Sequence, residues 1–419
     1  MYGLLGKKLG HSFSKTIHED LTNREYNLIE IDELRPFFAE RGFKGLNVTI
    51  PYKNDVIPYL DKLSPESSAT NAVNTIIFKG GELWGYNTDY YGLDKALSYN
   101  DISVTNKNII ILGNGSTSRT IKYYCEQNFA KNITILARNP KGNEYNFTYV
   151  DNLKNTDIVF NATPVGMFPN NISDTLVDLN SLPNLISLVD VVYNPLRSNH
   201  LIEAEKRGIK TVNGLLMLMY QAIKSIELFH NIHISDQETL KYYRRLLVNQ
   251  TNIVFIGMPM SGKSHFSRVC AKLFDKRLIE VDYRIEKEAG LSIPEIFEIH
   301  GESHFRNLEA QTILKYSKRH NQAISCGGGV VLQPDNMNLL RQNGIIIFLD
   351  ASLELLKNCN PKNRPLLKDK RNIEILYNQR YDLYRHYADI IVTKDNFDTN
   401  AILSEIEVNL NEYIDSKWS

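Results

Sequence analysis

The 419-residue chain lacks the features that several protein classes require. Its four cysteines, Cys125, Cys270, Cys326 and Cys359, are scattered without the paired spacing of a zinc site or a disulfide framework. Lysine plus arginine equals aspartate plus glutamate at 48 each, so no net charge would recruit nucleic acid or an anionic membrane. No basic stripe with interleaved aromatics and no apolar run of about 20 residues is present. We therefore expect small-molecule partners and reduced, structural thiols.

The first residues predict a strand rather than a signal peptide, since Met1 to Gly6 have no charged region followed by a long apolar segment. Together with the missing membrane span, this predicts a cytoplasmic protein. The sequence leaves the oligomeric state open between monomer and homodimer.

Short apolar runs alternate with helical patterns along most of the chain. Such runs, separated by helices, are typical of parallel sheets covered on both faces and predict the α/β class. The runs are 45–50, 109–112, 133–136, 158–160, 185–189, 253–256 and 345–349.

Length favours two to three domains. Helical patterns cover 215–230 and about 235–247, and the next strand is predicted to begin at Asn252. We therefore predict a short linker at 248–251, without the Gly, Ser or Pro enrichment of a flexible or spacer linker.

Two different glycine-rich turns each follow a predicted strand. Gly113-Asn114-Gly115-Ser116-Thr117-Ser118 has the form of a dinucleotide-binding turn, although serines stand at 116 and 118 where glycines are common. The second, which begins at Gly257 and ends in Gly262-Lys263-Ser264, is a complete P-loop. A P-loop alone is compatible with a small-molecule kinase, a GTPase or a motor.

The N-terminal part, from Tyr2 to about Leu247, resembles shikimate dehydrogenase. The resemblance rests on the order of seven segments: 11–15, 45–53, 72–75, 85–89, 161–167, 190–195 and 213–222. It implies NADPH-dependent reduction of 3-dehydroshikimate to shikimate. It also implies a two-lobed unit, with a substrate-binding domain over 1–95 and 216–247 and a Rossmann NADP-binding domain over 96–215.

Ketone reduction needs a proton donor and a group that holds this donor charged and oriented, which a Lys–Asp pair provides. The resemblance places Lys53 and Asp89 in these roles. Each hydroxyl of a polyhydroxylated ring must find a polar partner when it leaves water. With Lys53, the implied substrate contacts are Ser12, Ser14, Thr49, Asn74, Asp89, Tyr193 and Gln221.

The strand after the dinucleotide turn ends at Ala137-Arg138-Asn139 without an acidic residue for a ribose hydroxyl. Arg138 suits a 2′-phosphate and favours NADP over NAD. Residues 113–118, with Arg138, Gly214 and Met217, are the candidate NADP-binding residues.

The C-terminal part, over about 252–392, resembles shikimate kinase. The segments that carry the resemblance are the P-loop, 280–282, 296–309, 327–331, 363–367 and 380–384. It implies a P-loop domain of the nucleoside monophosphate kinase type over 252–419, with a central parallel sheet, that transfers phosphate from ATP to shikimate.

Within this domain, phosphates are expected on the P-loop amides and Lys263, and Mg²⁺ on Ser264. Glu280 stands where the family usually has aspartate and could contact Mg²⁺ through water. Asp282 would bind and orient the attacking hydroxyl, Arg306 and Arg380 would clamp the carboxylate, and Arg364 would stabilise the transferring phosphoryl group. Further candidate contacts are Gly328 for the substrate and Gly257, Met260, Ser261, Gly262 and His265 for ATP.

The product implied for the first part is the substrate implied for the second, so the sequence predicts a bifunctional enzyme of the shikimate pathway. One alternative is a dehydrogenase acting on quinate with NAD. Another is that one half is catalytically inactive and kept as a binding or regulatory module, as the departures at Ser116, Ser118, Glu280 and Lys357 would allow.

Overall fold

The computed structural model of the chain describes residues 1–10, 13–172, 175–358, 371–394 and 398–417. The chain divides into two compact units. The N-terminal unit comprises Met1–Tyr193 and Glu203–Tyr243, and the C-terminal unit comprises Asn194–Ile202 and Arg244–Ser419. Three β-sheets with interspersed helices confirm the α/β class. None of the helices in these described ranges is long and apolar enough to cross a membrane.

The first sheet of the N-terminal unit has six strands in the order β2-β1-β3-β5-β6-β4. They are β1 (Tyr2–Gly6), β2 (Asn27–Glu30), β3 (Gly45–Val48), β4 (Lys62–Leu63), β5 (Thr75–Lys79) and β6 (Glu82–Tyr86). The helices that accompany this sheet in the sequence are α1 (Ser14–Thr22), α2 (Leu34–Glu40), α3 (Pro65–Thr70) and α4 (Thr88–Tyr99).

This sheet is mixed, so the expectation of parallel sheets is wrong for it. Strand β5 runs antiparallel to both β3 and β6. The hairpin between β5 and β6 turns at Gly80 and Gly81, whose φ values of 60° and 87° lie in the left-handed region. Two consecutive residues with positive φ form the tight turn that matches the strand twist of a hairpin, and glycine reaches this conformation without strain.

The second sheet of this unit is parallel and has the order β11-β10-β9-β7-β8. Its strands are β7 (Asn108–Leu112), β8 (Asn132–Leu136), β9 (Ile158–Asn161), β10 (Ser187–Asp190) and β11 (Lys210–Val212). The helices in this part of the chain are α5 (Ser116–Gln127), α6 (Asn199–Lys206), α7 (Leu215–His230) and α8 (Asp236–Gln250). Helix α8 extends three residues beyond the expected Leu247, and only Thr251 separates it from the next strand.

The C-terminal unit contains a parallel five-stranded sheet of order β13-β14-β12-β15-β16. Its strands are β12 (Asn252–Ile256), β13 (Arg277–Glu280), β14 (Gln322–Ser325), β15 (Gly344–Ala351) and β16 (Ile390–Lys394). The helices are α9 (Lys263–Leu273), α10 (Val281–Ala289), α11 (Ile293–Ser317), α12 (Pro334–Asn343), α13 (Leu353–Lys357), α14 (Arg371–Tyr387) and α15 (Thr399–Lys417). Helix α11 is interrupted at Gly301, whose φ of 81° is not helical.

The interior strands β7, β12 and β15 contain continuous apolar runs of the sequence, and most of their side chains are buried. Because helices cover both faces of a parallel sheet, its functional groups gather beyond the carboxyl ends of the strands. Both glycine-rich turns lie at such ends, directly after β7 and β12.

Candidate active sites

The N-terminal unit brings Lys53 and Asp89 into direct contact, although they are 36 positions apart. Lys53 Nζ lies 2.6 Å from Asp89 Oδ2, and the two side chains are only 14% and 12% exposed. Asp89 lies in the first turn of α4, where the helix dipole favours a negative charge. The arrangement is a half-buried ammonium held by a carboxylate, as the sequence predicts for a proton donor.

Asn74 fixes the second oxygen of this carboxylate. The Asn74 side-chain amide donates to Asp89 Oδ1 at 2.8 Å, while its own oxygen accepts the backbone N–H of Thr88 at 2.7 Å. The bond from Thr88 decides which end of the Asn74 amide faces Asp89, because within an amide group only the oxygen accepts a hydrogen bond. Asp89 is therefore oriented from both sides.

Of the remaining predicted substrate contacts, one shares this hydrogen-bond network. Gln221 joins the network, since its Oε1 accepts from Asn74 Nδ2 at 3.4 Å. Ser14 is buried at the first position of α1, and Thr49 is half-buried directly after β3. The ring of Tyr193 packs on Phe13 with centroids 5.5 Å apart. Ser12 lies outside the described residues.

The predicted dinucleotide turn joins β7 to α5. Gly113 has a φ of 100°, and a Cβ there would approach Thr163 Cγ2 to 2.8 Å, so glycine is required for backbone and steric reasons alike. A Cβ on Gly115 would meet nothing within 4 Å, so the turn faces open space directly before α5. Free backbone N–H groups at a helix start fit a phosphate. The residues present thus fit a dinucleotide pyrophosphate.

The other predicted NADP contacts surround this turn. Arg138 is exposed just beyond the end of β8. Asn114 donates to the carboxylate of Glu144 at 2.8 Å and to the carbonyl of Asn139 at 3.0 Å, which ties the turn to the loop after β8. Gly214 precedes α7 and packs against the backbone of Val191, where a Cβ would clash. Met217 is buried in the first turn of α7.

In the C-terminal unit the P-loop joins β12 to α9. Met260 has a φ of 73°, a left-handed conformation that costs a non-glycine residue energy and that occurs often at functional sites. Gly257 and Gly262 also have positive φ values. Lys263 is 6% exposed and donates to the carbonyls of Gly257 at 2.9 Å and Met258 at 2.8 Å. The loop thus holds a buried ammonium beside the start of α9, which fits a polyphosphate.

The two predicted metal contacts, Ser264 and Glu280, each lie next to Ser325 at the end of β14. Ser264 is exposed, and its hydroxyl lies 3.3 Å from that of Ser325 at the end of β14. Glu280 is paired in register with Ser325, but its carboxylate lies 3.2 Å from Arg268. Over the described ranges, no three His, Cys, Asp or Glu residues form a metal-binding group. A hydroxyl with one distant carboxylate is compatible with Mg²⁺, which binds through few protein ligands and keeps several waters.

A charged cluster surrounds the triple glycine of the C-terminal unit. Arg306 donates to Glu309 Oε2 at 2.8 Å and to Glu302 Oε1 at 2.9 Å. Burial alone would lower the pKa of Arg306, but the two glutamates raise it above its ordinary value. Burial also raises the pKa of Glu309, because Arg306 offsets only part of the cost of placing a carboxylate in a fully buried position.

The glycine backbone lies close against these charges. A Cβ on Gly327 would lie 2.8 Å from Glu309 Oε1 and 3.0 Å from Asp282 Oδ1, and one on Gly329 would clash with the guanidinium of Arg306. Predicted residues Asp282 and Arg306 therefore face the same short stretch of backbone.

Arg380 reaches this stretch from α14. Its NH1 donates to the carbonyl of Gly328 at 3.1 Å, and its buried Nε has no hydrogen-bond partner among the described residues. An unpartnered guanidinium N–H is suited to an anionic ligand. Arg364 lies outside the described residues. His265 is exposed beside Phe266, and Lys357 pairs with Glu374 at 2.8 Å.

Two site residues were not singled out from the sequence. Tyr384 is fully buried and its hydroxyl donates to the carbonyl of Gly328. Lys394 is 6% exposed at the end of β16 and donates to the P-loop carbonyl of Ser261 at 3.2 Å. Tyr384 belongs to the segment 380–384 that resembles shikimate kinase, but an aromatic residue at helical spacing ordinarily packs in the core. The run of β16 gives no sign that its last residue reaches the P-loop.

These arrangements define two classes of site in one chain: a dinucleotide-type oxidoreductase site and a P-loop phosphotransferase site. Comparisons with known proteins agree. Residues 4–76 match the family model of the shikimate dehydrogenase substrate binding domain, and residues 259–411 match the family model of shikimate kinase. An NADP(+) shikimate dehydrogenase of Clostridium perfringens is 35% identical over 270 residues, which cover 59% of this chain and 98% of the relative.

Solved structures give the same result for the N-terminal part. A chorismate mutase/shikimate 5-dehydrogenase fusion protein from Clostridium acetobutylicum is 35% identical with a TM-score of 0.55, covering 58% of this chain and 96% of that one. Shikimate 5-dehydrogenase of Thermus thermophilus, in complex with NADP(H) and shikimate, is 26% identical with a TM-score of 0.53, covering 58% and 98%. The chain belongs to the shikimate dehydrogenase family, and a shikimate kinase domain follows in the same polypeptide. The predicted fusion is confirmed.

Proposed function

We propose that this chain reduces 3-dehydroshikimate to shikimate with NADPH and then phosphorylates shikimate to shikimate 3-phosphate with ATP. The observation that carries the proposal is the 2.6 Å contact between Lys53 and Asp89 in a unit of the shikimate dehydrogenase family. The match of residues 259–411 to shikimate kinase supplies the second step. The product of the first reaction is the substrate of the second.

In the first reaction Lys53 is the proton donor. NADPH, when bound, supplies the hydride that converts the ketone into an alkoxide. Lys53 Nζ delivers a proton to that oxygen, and Asp89 orients the ammonium through its 2.6 Å contact. Asn74 holds Asp89 so that the carboxylate can accept from the ammonium and from a substrate hydroxyl at once.

The other polar residues would bind the ring. Ser12, Ser14, Thr49, Tyr193 and Gln221 present hydroxyls and an amide, the groups that satisfy hydroxyls and a carboxylate withdrawn from water. The dinucleotide would lie on Gly113 to Ser118, with Arg138 at the 2′-phosphate and Gly214 and Met217 on the nicotinamide side. The structural support is the open face at Gly115 before α5.

In the second reaction Asp282 orients the attacking hydroxyl of shikimate. Arg306 and Arg380 hold the carboxylate, and this role is supported by the buried Nε of Arg380, for which the described part of the chain offers no hydrogen-bond partner. Gly328 lets the ring approach the backbone. ATP supplies the phosphoryl group on the P-loop, where Lys263 neutralises negative charge, Ser264 would ligate Mg²⁺ and Glu280 would act through water. Arg364 would add positive charge at the transferring group.

For the domain organisation we propose a substrate-binding domain at 1–95 and 216–247, an NADP-binding domain at 96–215 and a kinase domain from 252. We further propose that the enzyme acts in the cytoplasm on small molecules. The buried, unbonded thiols of Cys125, Cys270 and Cys326 support a reducing compartment.

Mass spectrometry of the purified chain, incubated with 3-dehydroshikimate, NADPH, ATP and Mg²⁺, tests the proposal. We expect shikimate 3-phosphate from the unmodified chain, shikimate alone from Lys263→Met, and unchanged substrate from Lys53→Met. The Lys53→Met chain should still phosphorylate added shikimate. Faster turnover with quinate and NAD than with shikimate and NADP would favour a quinate dehydrogenase over the proposed first activity. Absence of phosphorylated product would indicate that the kinase half is inactive and serves as a binding module.

A further inference from the structure

Helix α5 makes a set of contacts that the proposed chemistry does not use. It starts at Ser116, directly after the dinucleotide turn, and two consecutive residues in its second turn reach away from that turn. Arg119 and Thr120 contact segments that neighbour Lys53 and Asp89 in the sequence. No feature of the glycine turn itself requires these contacts.

Arg119 binds the Lys53 side. Its NH2 donates to Asn54 Oδ1 at 2.9 Å, and Asn54 is the residue next to Lys53. Its Nε donates to the carbonyl of Thr70 at 2.8 Å, and NH2 also lies 3.4 Å from the carbonyl of Asn71. These carbonyls end α3, where a cation is favoured by the helix dipole. The planar guanidinium therefore joins three groups that a single point charge could not span.

Asn54 is held in turn. Its Nδ2 donates to the carbonyl of Asn71 at 2.6 Å, the same carbonyl that Arg119 approaches. The carbonyl of Lys53 accepts the N–H of Val73 at 2.8 Å, so the backbone of Lys53 and the side chain of Asn54 are both tied to the segment after α3. A shift of the Arg119 side chain would therefore change the position of Lys53.

Thr120 binds the Asp89 side. Asn87 precedes α4 and stands two residues before Asp89. The two hydrogens of Asn87 Nδ2 are donated to Thr120 Oγ1 at 2.9 Å and Thr70 Oγ1 at 3.0 Å. Thr120 in turn donates to the carbonyl of Ser116 at 3.2 Å, which closes the connection to the dinucleotide turn. Asn87, Thr70 and Thr120 are all buried, so water cannot replace these bonds.

We infer that Arg119 is a positioning residue for hydride transfer, which couples the seating of the dinucleotide on α5 to the geometry of the Lys53–Asp89 pair. The inference rests on the proposed dehydrogenase function. It predicts that NADP⁺ and shikimate strengthen each other's binding, because each ligand orders one end of the same hydrogen-bonded connection. Loss of Arg119 should weaken this mutual effect more than it weakens either ligand's binding alone.

The test uses the full chain and compares Arg119→Met, Arg119→Lys and Lys122→Met. Lys122 is a cation on the same helix, about half exposed and paired with Glu126 at 3.6 Å, and it serves as the matched control. The dissociation constant of NADP⁺ is measured by calorimetry with and without saturating shikimate, and kcat and KM of the dehydrogenase reaction are measured in parallel. Circular dichroism of the same preparations reports whether the N-terminal unit is folded, and kinase activity reports the integrity of the C-terminal unit.

For Arg119→Met we expect kcat to fall by about tenfold to a hundredfold, as for a small misplacement of reacting groups. Each ligand's own affinity should change by less than about threefold, and the mutual strengthening should be lost from its usual range of about 5-fold to 150-fold. Arg119→Lys should recover part of kcat, since one of the bonds can be remade. Lys122→Met should match the unmodified chain.

The inference is overturned if Arg119→Met behaves like Lys122→Met, if both ligands weaken equally while their mutual effect persists, or if the unmodified chain shows no mutual effect. Should Arg119→Met fail to fold, Asn54→Ala removes the same bond from the other side and must reproduce the loss of coupling. An unmodified chain without dehydrogenase activity would instead refute the proposed function, so the two failures are distinguishable.

Discussion

Arg197 is a buried residue whose removal should strongly destabilise the C-terminal unit. It belongs to Asn194–Ile202, the short segment that packs as part of this unit although it precedes the rest by more than 40 positions. Its side chain is 2% exposed, and its two terminal nitrogens lie 3.3 Å from the two carboxylate oxygens of Asp389. Its Nε donates to the carbonyl of Arg341 at 2.7 Å, and NH2 donates to the carbonyl of Gly344.

Asp389 depends on this guanidinium. It stands just before β16 and is 5% exposed, and it also accepts from the N–H of Ile346 at 2.9 Å and the hydroxyl of Tyr413 at 3.1 Å. Burial would raise the pKa of Asp389, but Arg197 and then Arg341 lower it below its ordinary value. The two arginines therefore stabilise the charged carboxylate in the interior, with a smaller contribution from the N–H of Ile346.

Replacing Arg197 by methionine leaves a buried carboxylate and two backbone carbonyls without their partner. Breaking a buried ion pair in this way costs about 3–5 kcal/mol. Arg341 lies 3.6 Å from Asp389 and offsets part of the loss, so we expect a value near the lower end, about 3 kcal/mol. For a unit of this size the unfolding temperature should fall by about 6–12 °C.

The assay is thermal unfolding of the full chain, with the transition of the C-terminal unit identified by residual kinase activity after heating. Arg244→Met is the matched control, because Arg244 pairs with Asp415 at 2.8 Å but both side chains are about half exposed. An exposed pair contributes at most about 1 kcal/mol. The double variant Arg197→Met with Asp389→Asn should recover part of the lost stability, since no unpaired carboxylate remains. A shift for Arg197→Met no larger than that for Arg244→Met would refute the reasoning.

Two further predictions concern buried groups elsewhere in the chain. His18 packs on Tyr26 with ring centroids 4.1 Å apart, and burial, with a smaller effect of His230, lowers its pKa from 6.5 to about 3. Below about pH 6.5 the imidazole of His18 binds a proton in the unfolded chain but stays neutral in the folded chain. The free energy of unfolding should therefore decrease by about 1.4 kcal/mol for each unit by which the pH is lowered from about 6.5 to about 3. When the free energy of unfolding is measured by denaturant at a series of pH values, it should depend less steeply on pH in His18→Phe. An unchanged pH dependence would contradict the lowered pKa of His18. Gly327→Ala should raise the kinase KM for shikimate by about tenfold or more. The added methyl group must displace Glu309 or Asp282, and Glu309 is fixed by Arg306. Dehydrogenase activity in the same chain is the control, and equal losses in both activities would indicate general misfolding.

The strand and helix pattern could be predicted well because most of the relevant segments are fully buried. Continuous apolar runs such as 109–112 and 345–349 are too short for a typical buried helix and favour a covered strand, and both lie in interior strands of parallel sheets. The antiparallel hairpin was missed although Gly80-Gly81 between β5 and β6 is a recognisable turn signal. Two consecutive glycines predict a β-hairpin only when the segments on both sides are also predicted to be strands.

The site residues could be proposed from the sequence only where a family pattern named them. Spacing alone does not bring Lys53 to Asp89, which depends on the loop after β3 meeting the start of α4. Arg119 and Arg197 carried no signal, because a helix arginine and an arginine after a proline turn are ordinarily exposed. Both are held by backbone carbonyls distant in sequence, and such contacts follow from the tertiary fold rather than from local composition.

The two glycine turns meet negative charge by different means. The P-loop carries its own buried ammonium, since Lys263 is fixed on the carbonyls of Gly257 and Met258. The dinucleotide turn contains no cation from Gly113 to Ser118, and its Asn114 is bonded to the carboxylate of Glu144. A triphosphate can therefore be neutralised within its own loop, whereas the dinucleotide turn offers backbone N–H groups, side-chain hydroxyls and the start of α5 but no charged donor. We propose that selectivity for the extra phosphate of NADP comes from Arg138, a cation that lies outside the turn and is exposed beyond β8.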